Sequence, residues 1–332
     1  MTAKPAFVIT IDTEGDDIWG RHSTVTTENT RFLPRFQDLC AKHGFRPTYL
    51  TNHEMAVDPR YQEFGRRVLR AKEGEIGLHV HPWNSPPLAE NGPETRGDHV
   101  YLFEYPDDLL RAKITHLTRL LQDAFEIQPT SHRAGRWGFD GRVARVLVET
   151  GYLVDCSVTP GVSWKRHKGD TDGEGGTDYR GFPSEPYFLD LGDIRRRGSS
   201  PMLEVPVTIR PNHPRLVREL HRALERPRVS RLVRRLWGAP ASWLRPNGTN
   251  LDAMLSIVDW AIDRKAPVIE FMLHSSELMP GGSPTFRTAE QIEVLYAHLE
   301  KLFTRLAERG TRGLTLTQFR SEWEQRASPA SA

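Results

Sequence analysis

The feature that most constrains the fold is the regular alternation of strand-like and helix-like stretches along the chain. A short β-branched run at residues 6–11 is typical of a buried strand. The next stretch carries Phe32, Phe36 and Leu39 at helical spacing and ends at Gly44. Repeated units of this kind predict a parallel sheet with helices packed outside it.

This alternation extends through most of the chain. The predicted strands are residues 6–11, 47–51, 75–81, a strand ending near His132, 152–158, 203–209 and 267–274, and the predicted helices are residues 30–43, 59–72, 107–125, 140–150, 250–264 and 288–309. About seven strands in one chain favour an α/β barrel, closed or nearly closed, over an open doubly wound sheet. The open sheet would need a glycine-rich turn after the first strand, whereas residues 12–17 are acidic.

The composition excludes several other classes of protein. The 332 residues are 38% hydrophobic and 27% charged, which is ordinary for a globular protein. The sequence has no run of about 18 apolar residues, so no membrane-spanning helix is predicted. The N-terminus has no signal-peptide core, and two cysteines cannot form a disulfide framework or an all-cysteine zinc site. We therefore expect a reduced protein in the cytoplasm.

Two insertions interrupt the alternation. Residues 165–185 are rich in Gly, Asp and Pro and predict a surface loop. Residues 210–245 predict a basic helical insertion, and residues 210–237 contain nine arginines and two glutamates. Two hypotheses stay open for this segment: an ordinary solvated face, or a surface that attracts an anionic substrate and contacts an anionic membrane peripherally. The charge is too local to predict nucleic-acid binding.

Residue types that bind metals occur at three predicted strand ends. Asp12 and Glu14 end the first strand, and His79 and His81 end the third. His274 ends the strand at residues 267–274. Because the carboxyl ends of parallel barrel strands meet at one face, these side chains should converge there. One carboxylate with two imidazoles and an open position is typical of a catalytic divalent metal, above all zinc.

Five short motifs, in this order along the chain, resemble those of a known family. They are Thr10–Glu14, Glu75–Pro82, Arg133–Arg136, Val154–Ser157 and Phe271–His274. The chain resembles the polysaccharide deacetylases of carbohydrate esterase family 4, over about residues 6–319. It is most similar to the branch with members in cell-surface polysaccharide and lipopolysaccharide biosynthesis. The resemblance implies a deformed (β/α)7-type barrel with a helical insertion, forming one catalytic domain over residues 1–332.

The resemblance also implies catalytic roles. Asp12 would be the general base that activates water, and Arg133 would orient this base. His274 would be the general acid that protonates the leaving amine. Asp155 would support that end of the site by pairing with Arg133 or His274.

The same resemblance implies the metal ligands Glu14, His79 and His81, with Zn²⁺ as the expected ion. Two departures from the family pattern change the geometry. The usual adjacent Asp pair is replaced by Asp12-Thr13, and one residue rather than three separates the histidines. Because both carboxylates of the first motif lie on one side of the strand, the choice between Asp12 and Glu14 as ligand stays open.

Substrate contacts are expected beside the motifs. Trp83, Trp137 and Trp243 could offer flat faces to sugar rings, and packing inside the protein is the open alternative for each. The charged candidates for substrate binding are Arg136, Arg245 and Glu277.

The predicted activity is metal-dependent hydrolysis of an N-acetyl or other N-acyl group on a sugar. Since no signal peptide is recognised, a lipid- or nucleotide-linked precursor is the favoured substrate over mature polysaccharide, and no nucleic acid partner is expected. Two alternatives remain. The first is an amidohydrolase, which also uses a His-x-His pair, although usually on its first strand. The second is a non-catalytic carbohydrate-binding relative, which would lack a catalytic group. Oligomeric state is left unassigned.

Overall fold

The computed structural model describes residues 4–16, 18, 25–88, 99–169, 173–214, 217 and 239–327. Its central element is a curled sheet of nine strands with helices packed outside, and two further strands form a separate ribbon. The strands are β1 (Ala6–Thr13), β2 (Thr48–Thr51), β3 (Glu75–Val80), β4 (Ser131–Ala134), β5 (Val154–Asp155), β6 (Tyr187–Phe188), β7 (Leu203–Glu204), β8 (Ile209–Pro211), β9 (Ala241–Trp243), β10 (Val268–His274) and β11 (Arg312–Gly313).

The helices follow the strands in sequence and pack against the outer face of the sheet. They are α1 (Leu33–Lys42), α2 (His53–Ala56), α3 (Pro59–Ala71), α4 (Asp107–Phe125), α5 (Gly141–Glu149), α6 (Leu251–Asp263), α7 (Ala289–Glu308) and α8 (Leu316–Ala327). Several begin with the signals expected of helix starts. Asp58 and Asp140 accept hydrogen bonds from the first free N–H groups of α3 and α5, and Thr288 caps α7.

The main sheet follows the order β10-β1-β2-β3-β4-β5-β7-β6, and β11 adds a short parallel pairing to β1. Its neighbouring strands pair in parallel except for β6, which is antiparallel to β7, and β8 with β9 forms a separate antiparallel ribbon. Within the described ranges, the sheet is not closed by pairing between β10 and its far edge. Thr208 lies in this gap, where its Oγ1 accepts a hydrogen bond of 2.8 Å from the Glu270 N–H. This curled half-barrel confirms the predicted deformed (β/α)7-type barrel.

Side chains of the strands alternate between two buried faces. Phe7 and Ile9 point outward into the large hydrophobic layer beneath the helices. Ala6 and Val8 point inward and belong to a smaller cluster inside the barrel. All eight residues of β1 are buried, as expected for a parallel strand covered on both sides.

Helix α8 lies across the end of the barrel at which the strands begin. Leu316 and Phe319 of this helix are buried in the inner cluster. The Thr317 N–H donates to Glu75 at the start of β3, over 3.0 Å. The sequence analysis did not predict α8. Since α8 covers this end, the opposite end, where the strands finish, is the one available for a site.

The predicted helices at 107–125, 140–150 and 250–264 agree with the structure to within one residue at each end. The predicted strands at 152–158 and 203–209 are wrong in extent, because regular pairing covers only Val154–Asp155 and Leu203–Glu204. Beyond these pairs, some backbone N–H groups donate to side-chain oxygens instead of to a neighbouring strand. The Val158 N–H donates to Glu204 Oε1 over 3.0 Å, and the Ala134 N–H donates to Ser157 Oγ over 2.8 Å.

The two predicted insertions are described in part. Residues 165–169 and 173–185 form turns and bends, and an isolated bridge pairs Asp178 with Ser163, just before this insertion. Most of the basic segment at 210–237, including its predicted helices, lies outside the described residues. In the part of the chain that the structure covers, no helix combines the length and apolarity needed to cross a membrane.

Candidate metal and catalytic centre

Glu14, His79 and His81 lie together where β1 and β3 end. Glu14 Oε2 is 3.2 Å from His81 Nε2 and 3.5 Å from His79 Nε2. The two imidazole Nε2 atoms are 3.0 Å apart. All three residues are buried, and they form a group whose ligand atoms could bind one ion. The carboxyl ends of neighbouring parallel strands therefore bring these side chains to one point.

The surroundings of Glu14 test whether these residues fit a metal ion. Both of its carboxylate oxygens are buried and have no hydrogen-bond partner within the described ranges. Such a group costs free energy unless a cation lies beside it. Zinc bonds of about 2.0–2.1 Å at tetrahedral angles place donor atoms about 3.3 Å apart, close to the three separations observed. One carboxylate and two imidazoles therefore fit a divalent metal ion.

The two histidines differ in their environment. His79 Nδ1 lies 2.8 Å from the Arg133 carbonyl oxygen, which directs its Nε2 towards Glu14. Burial disfavours charge on His79, but Asp12 and Glu14 outweigh this effect and raise its pKa. Burial and the charge of His79, with a smaller contribution from Arg136, hold the pKa of His81 well below its usual range. His81 is therefore neutral, the form that binds a metal.

The backbone of Glu14 is held from two sides. Ser275 Oγ accepts a hydrogen bond from the Glu14 N–H and donates one to its carbonyl oxygen, both over 3.1 Å. Asn29 Nδ2 donates to the same carbonyl over 2.9 Å. The next residue, Gly15, donates its N–H to Glu54 Oε1 over 2.9 Å. Sequence reasoning did not identify Ser275, Asn29 or Glu54, because none belongs to a recognisable motif.

Arg133 is fully buried and organises a polar network beneath the metal-type ligands. Its Nη1 donates to Asp12 Oδ1 over 2.7 Å, and its Nη2 lies 2.6 Å from both Thr10 Oγ1 and Glu270 Oε1. Its Nε donates to the Cys156 carbonyl over 3.1 Å. Burial alone would raise the pKa of Asp12, but Arg133, His79 and His274 lower it below its usual value. Asp12 is therefore an ionised carboxylate.

His274 faces this carboxylate from the end of β10. Its Nε2 lies 3.7 Å from Asp12 Oδ2 and 3.5 Å from Glu14 Oε1. On the other side of the ring, Nδ1 is 3.2 Å from Glu277 Oε2 and 2.9 Å from Arg245 Nη2. The imidazole is thus held with Nε2 directed into the centre.

Glu277 and Arg245 form an ion pair of 3.0 Å behind His274. Burial would raise the pKa of Glu277, but the charge of Arg245 and the hydrogen bond from His274 lower it to about 2. Glu277 is 1% exposed and bonded to His274, so the structure places it behind that histidine, and its contact with substrate stays a prediction. Arg245 is partly exposed, but its guanidinium is directed at His274 and Glu277.

The expectation that Asp155 pairs with Arg133 or His274 is wrong. Asp155 Oδ2 lies 2.6 Å from His132 Nδ1 and accepts from Ser157 Oγ over 3.0 Å. By register Asp155 pairs with His132, the strand neighbour of Arg133. Because successive residues of a strand point to opposite faces, Asp155 faces the outer helices while Arg133 faces the centre.

The tryptophans lie near the centre but are mostly covered. Trp83 and Trp137 are each 8% exposed, which favours the packing alternative for both. The Trp83 ring stacks on His81 with centroids 4.4 Å apart. Trp137 stacks on the half-buried Trp164 at 6.3 Å and meets Trp243 edge-on at 6.0 Å.

Arg136 follows the buried Gly135 and its side chain is exposed. A Cβ at Gly135 would lie 2.4 Å from the Val80 carbonyl oxygen and 2.5 Å from His81 Cδ2. Glycine is therefore required for this loop to pass so close to the metal-type ligands. The contact places Arg136 at the mouth of the centre.

Known structures share this architecture. A protein from Parabacteroides distasonis, provisionally assigned as a glycoside hydrolase/deacetylase, is 13% identical with a TM-score of 0.60, over 97% of this chain and 71% of its own. A protein from Mycobacterium smegmatis, provisionally assigned as a polysaccharide deacetylase, is 14% identical with a TM-score of 0.54, over 100% and 98%. The chain has the polysaccharide deacetylase fold. No protein-family model and no curated protein sequence matches it.

The polysaccharide deacetylase fold does not by itself decide the reaction. The 4-α-glucanotransferase from Thermococcus litoralis is 12% identical with a TM-score of 0.52, over 96% of this chain and 40% of its own. At such identities the likeness establishes architecture, and the chemistry must be argued from the site.

The sequence analysis did not identify one further group of the centre, Glu270. Glu270 lies in the middle of the predicted apolar strand 267–274, buried against Thr10 and Arg133. Its position, four residues before His274, puts it on the same strand face as that histidine. The sequence did contain a signal for Glu270, because a charged residue lies there inside an otherwise apolar strand.

Proposed function

We propose that this chain is a metal-dependent deacetylase that hydrolyses the N-acetyl, or another N-acyl, group of a sugar. The observation that carries the proposal is the buried Glu14 carboxylate, which lacks a hydrogen-bond partner in the described residues and lies among His79, His81 and His274. The polysaccharide deacetylase fold supports the same class of reaction.

In this proposal Glu14, His79 and His81 hold the metal ion, which we assign as zinc from the donor set. When bound, the ion supplies Lewis-acid polarisation of the substrate carbonyl and a lowered pKa for the attacking water. The buried, preformed positions of the three side chains suit them to hold an ion with little rearrangement.

Asp12 is the general base. Its ion pair with the buried Arg133 guanidinium keeps it ionised, so that it can accept a proton from the attacking water. The pair also fixes the direction of the carboxylate, since Oδ1 is bound by Arg133 while Oδ2 faces His274.

His274 is the general acid. Hydrolysis of an amide needs a proton on the departing nitrogen, and a histidine can supply one near neutral pH. The Glu277 carboxylate next to Nδ1 orients the ring, and the Nε2 proton is the one available to the substrate.

The substrate in this proposal is a sugar within a polysaccharide or a glycan precursor, including a lipid- or nucleotide-linked one. The motif similarity to the branch acting in cell-surface polysaccharide and lipopolysaccharide biosynthesis supports that choice. The half-buried rings of Trp164 and Trp243 beside the centre could pack against a sugar.

The test is mass spectrometry of N-acetylated sugar precursors incubated with the zinc-loaded protein. The proposal expects loss of one acetyl group per sugar, suppressed by chelation and strongly slowed in Asp12→Asn. A protein that binds zinc and these sugars but leaves them intact would be a non-catalytic relative. Hydrolysis of a different bond would favour the amidohydrolase alternative.

A further inference from the structure

Arg136 is a positive charge at the mouth of the centre that the proposed mechanism does not use. Its side chain is exposed, and within the described ranges it forms no ion pair with an acidic side chain. The two other arginines of the centre are both matched: Arg133 pairs with Asp12 and Glu270, and Arg245 pairs with Glu277. Arg136 is therefore the one of these three arginines whose charge is not paired with an acidic side chain of the described residues.

The backbone holds Arg136 in an uncommon conformation. Arg136 and Trp137 have φ angles of 52° and 61°, in the left-handed region that residues other than glycine rarely adopt. Strained residues of this kind persist where the surrounding structure holds them, and they concentrate at functional sites.

Buried contacts hold this loop. The Tyr179 hydroxyl donates to the Trp137 carbonyl over 2.7 Å, and the Gly138 N–H donates to the Gly135 carbonyl over 3.0 Å. The Phe139 N–H donates to Thr177 Oγ1 over 3.2 Å. The base of the Arg136 side chain is thus fixed beside the metal-type ligands, unlike that of an arginine on a solvated helix.

We propose that Arg136 binds a negatively charged group, a phosphate or a carboxylate, carried by the sugar substrate. This inference rests on the proposed deacetylase function. A guanidinium binds either anion through two parallel hydrogen bonds, which gives direction as well as affinity. The half-buried rings of Trp164 and Trp243 lie nearby, 6.3 Å apart, and the sugar itself can pack on them.

Binding of three probes to the zinc-loaded full chain, measured by calorimetry, tests the inference. The probes are N-acetylglucosamine 1-phosphate, an N-acetylated disaccharide that contains glucuronate, and the neutral N,N′-diacetylchitobiose. At least one anionic probe should bind roughly 10- to 100-fold more tightly than the neutral one, the range expected of charge-assisted hydrogen bonds. The probe that is preferred distinguishes phosphate from carboxylate.

The variant Arg136→Gln should lose this preference while its zinc content and its affinity for the neutral probe stay unchanged. Arg136→Asn provides a second neutral variant, because asparagine tolerates the left-handed conformation. Arg136→Lys should keep part of the preference, since it retains the charge but not the paired donors. Arg326→Gln, an exposed arginine on α8 at the opposite end of the barrel, is the matched control.

Equal affinity of the wild-type chain for all three probes would overturn the role of Arg136 and leave the deacetylase proposal intact. A preference for anions that survives in Arg136→Gln and Arg136→Asn would also overturn it. Failure of the deacetylase proposal is a separate result, because it would show as zinc-loaded protein that removes no acetyl group from any sugar.

Discussion

Carboxylates within a few ångströms of one another have opposite tendencies to ionise at this centre. The single charge of Arg133 is shared by Asp12 and Glu270. Asp12 also faces His79 and His274, and its pKa is lowered. Burial outweighs Arg133 at Glu270 and raises the pKa of that carboxyl. Asp12 is thereby the ionised partner of Arg133, while Glu270 takes up a proton more readily than an ordinary glutamate.

The first prediction separates Asp12 from Glu14. Glu14→Gln should empty or sharply weaken the metal site, because it replaces the only carboxylate among the three donor groups. Asp12→Asn should keep the metal but lower kcat by about 10²–10⁴, the usual contribution of a general base. We would measure metal stoichiometry and turnover of the two purified variants, and each variant is the control for the other. The results show which carboxylate is the ligand and which is the base. The reverse pattern would exchange the two roles.

The second prediction concerns His274 and the pair behind it. His274→Ala should lower kcat by about 10²–10⁴ and leave the metal content near that of the wild type. Glu277→Gln should lower kcat roughly tenfold or more with little effect on KM, because the variant loses the carboxylate that orients the His274 ring and pairs with Arg245. Steady-state kinetics and metal analysis check both. Loss of metal from His274→Ala would show that His274 is a ligand.

At the scale of elements, helix α4 supports the loop that follows His81. Lys113 of α4 is fully buried, and its Nζ donates to the carbonyl oxygens of Pro82, Ser85 and Pro87 over 2.8, 3.0 and 2.9 Å. A buried ammonium surrounded by carbonyls replaces the hydrogen bonds that this irregular loop cannot form with itself. The loop thereby fixes Trp83 against the ring of His81.

Lys113→Met tests this support. Methionine has a similar length but leaves three carbonyl oxygens without their donor, so the free energy of unfolding should fall by about 1–3 kcal/mol. Metal affinity should weaken as well, because the loop also positions His81. Chemical unfolding and zinc titration measure the two effects, with the exposed Lys301→Met on α7 as the matched control. Unchanged metal affinity would confine Lys113 to a stabilising role.

At the scale of the whole molecule, a second buried polar cluster joins β4, β5 and β7 on the helix-facing side of the sheet. Its members are His132, Asp155, Ser157 and Glu204, all 0% exposed. It lies on the opposite face of the sheet from Arg133, and its side chains accept backbone hydrogen bonds from Val158 and Ala134 beyond the regular strand pairs. Burial, together with the charge of Asp155, raises the pKa of Glu204 well above its usual range.

This shift makes the stability of the fold depend on pH. The folded protein keeps a proton on Glu204, whereas the unfolded chain releases it as the pH rises above the ordinary value of 4.5. The unfolded state then binds fewer protons than the folded one, so the free energy of unfolding falls with rising pH in this window.

Glu204→Gln should remove that dependence, because glutamine is a neutral isostere that can still accept from the Val158 N–H. The decline of the free energy of unfolding between about pH 5 and 8 should become shallower, by up to about 1.4 kcal/mol per pH unit. Urea unfolding at several pH values measures it, with the exposed Glu308→Gln as control. An unchanged slope would mean that Glu204 is ionised in the folded protein.

The sequence by itself determined the fold class and the place of the centre. Alternating periodicities of two and 3.6 residues are local properties, and parallel strands bring their carboxyl ends to one edge. The convergence of Glu14, His79 and His81 follows from these rules alone. Their roles, and that of Asp12, remain proposals.

Only the tertiary structure decided which side chains are partners. Asp155 is one residue out of phase with the inward-facing positions of its strand, and a shift of one residue moves a side chain to the other face of the sheet. Glu270 meets Arg133 across 137 residues of sequence, and Glu277 meets Arg245 across 32. Helix α8 covers the barrel end by contacts with strands some 240 residues earlier. Such pairings depend on strand order, register and burial, which arise when the whole chain packs and which no local spacing encodes.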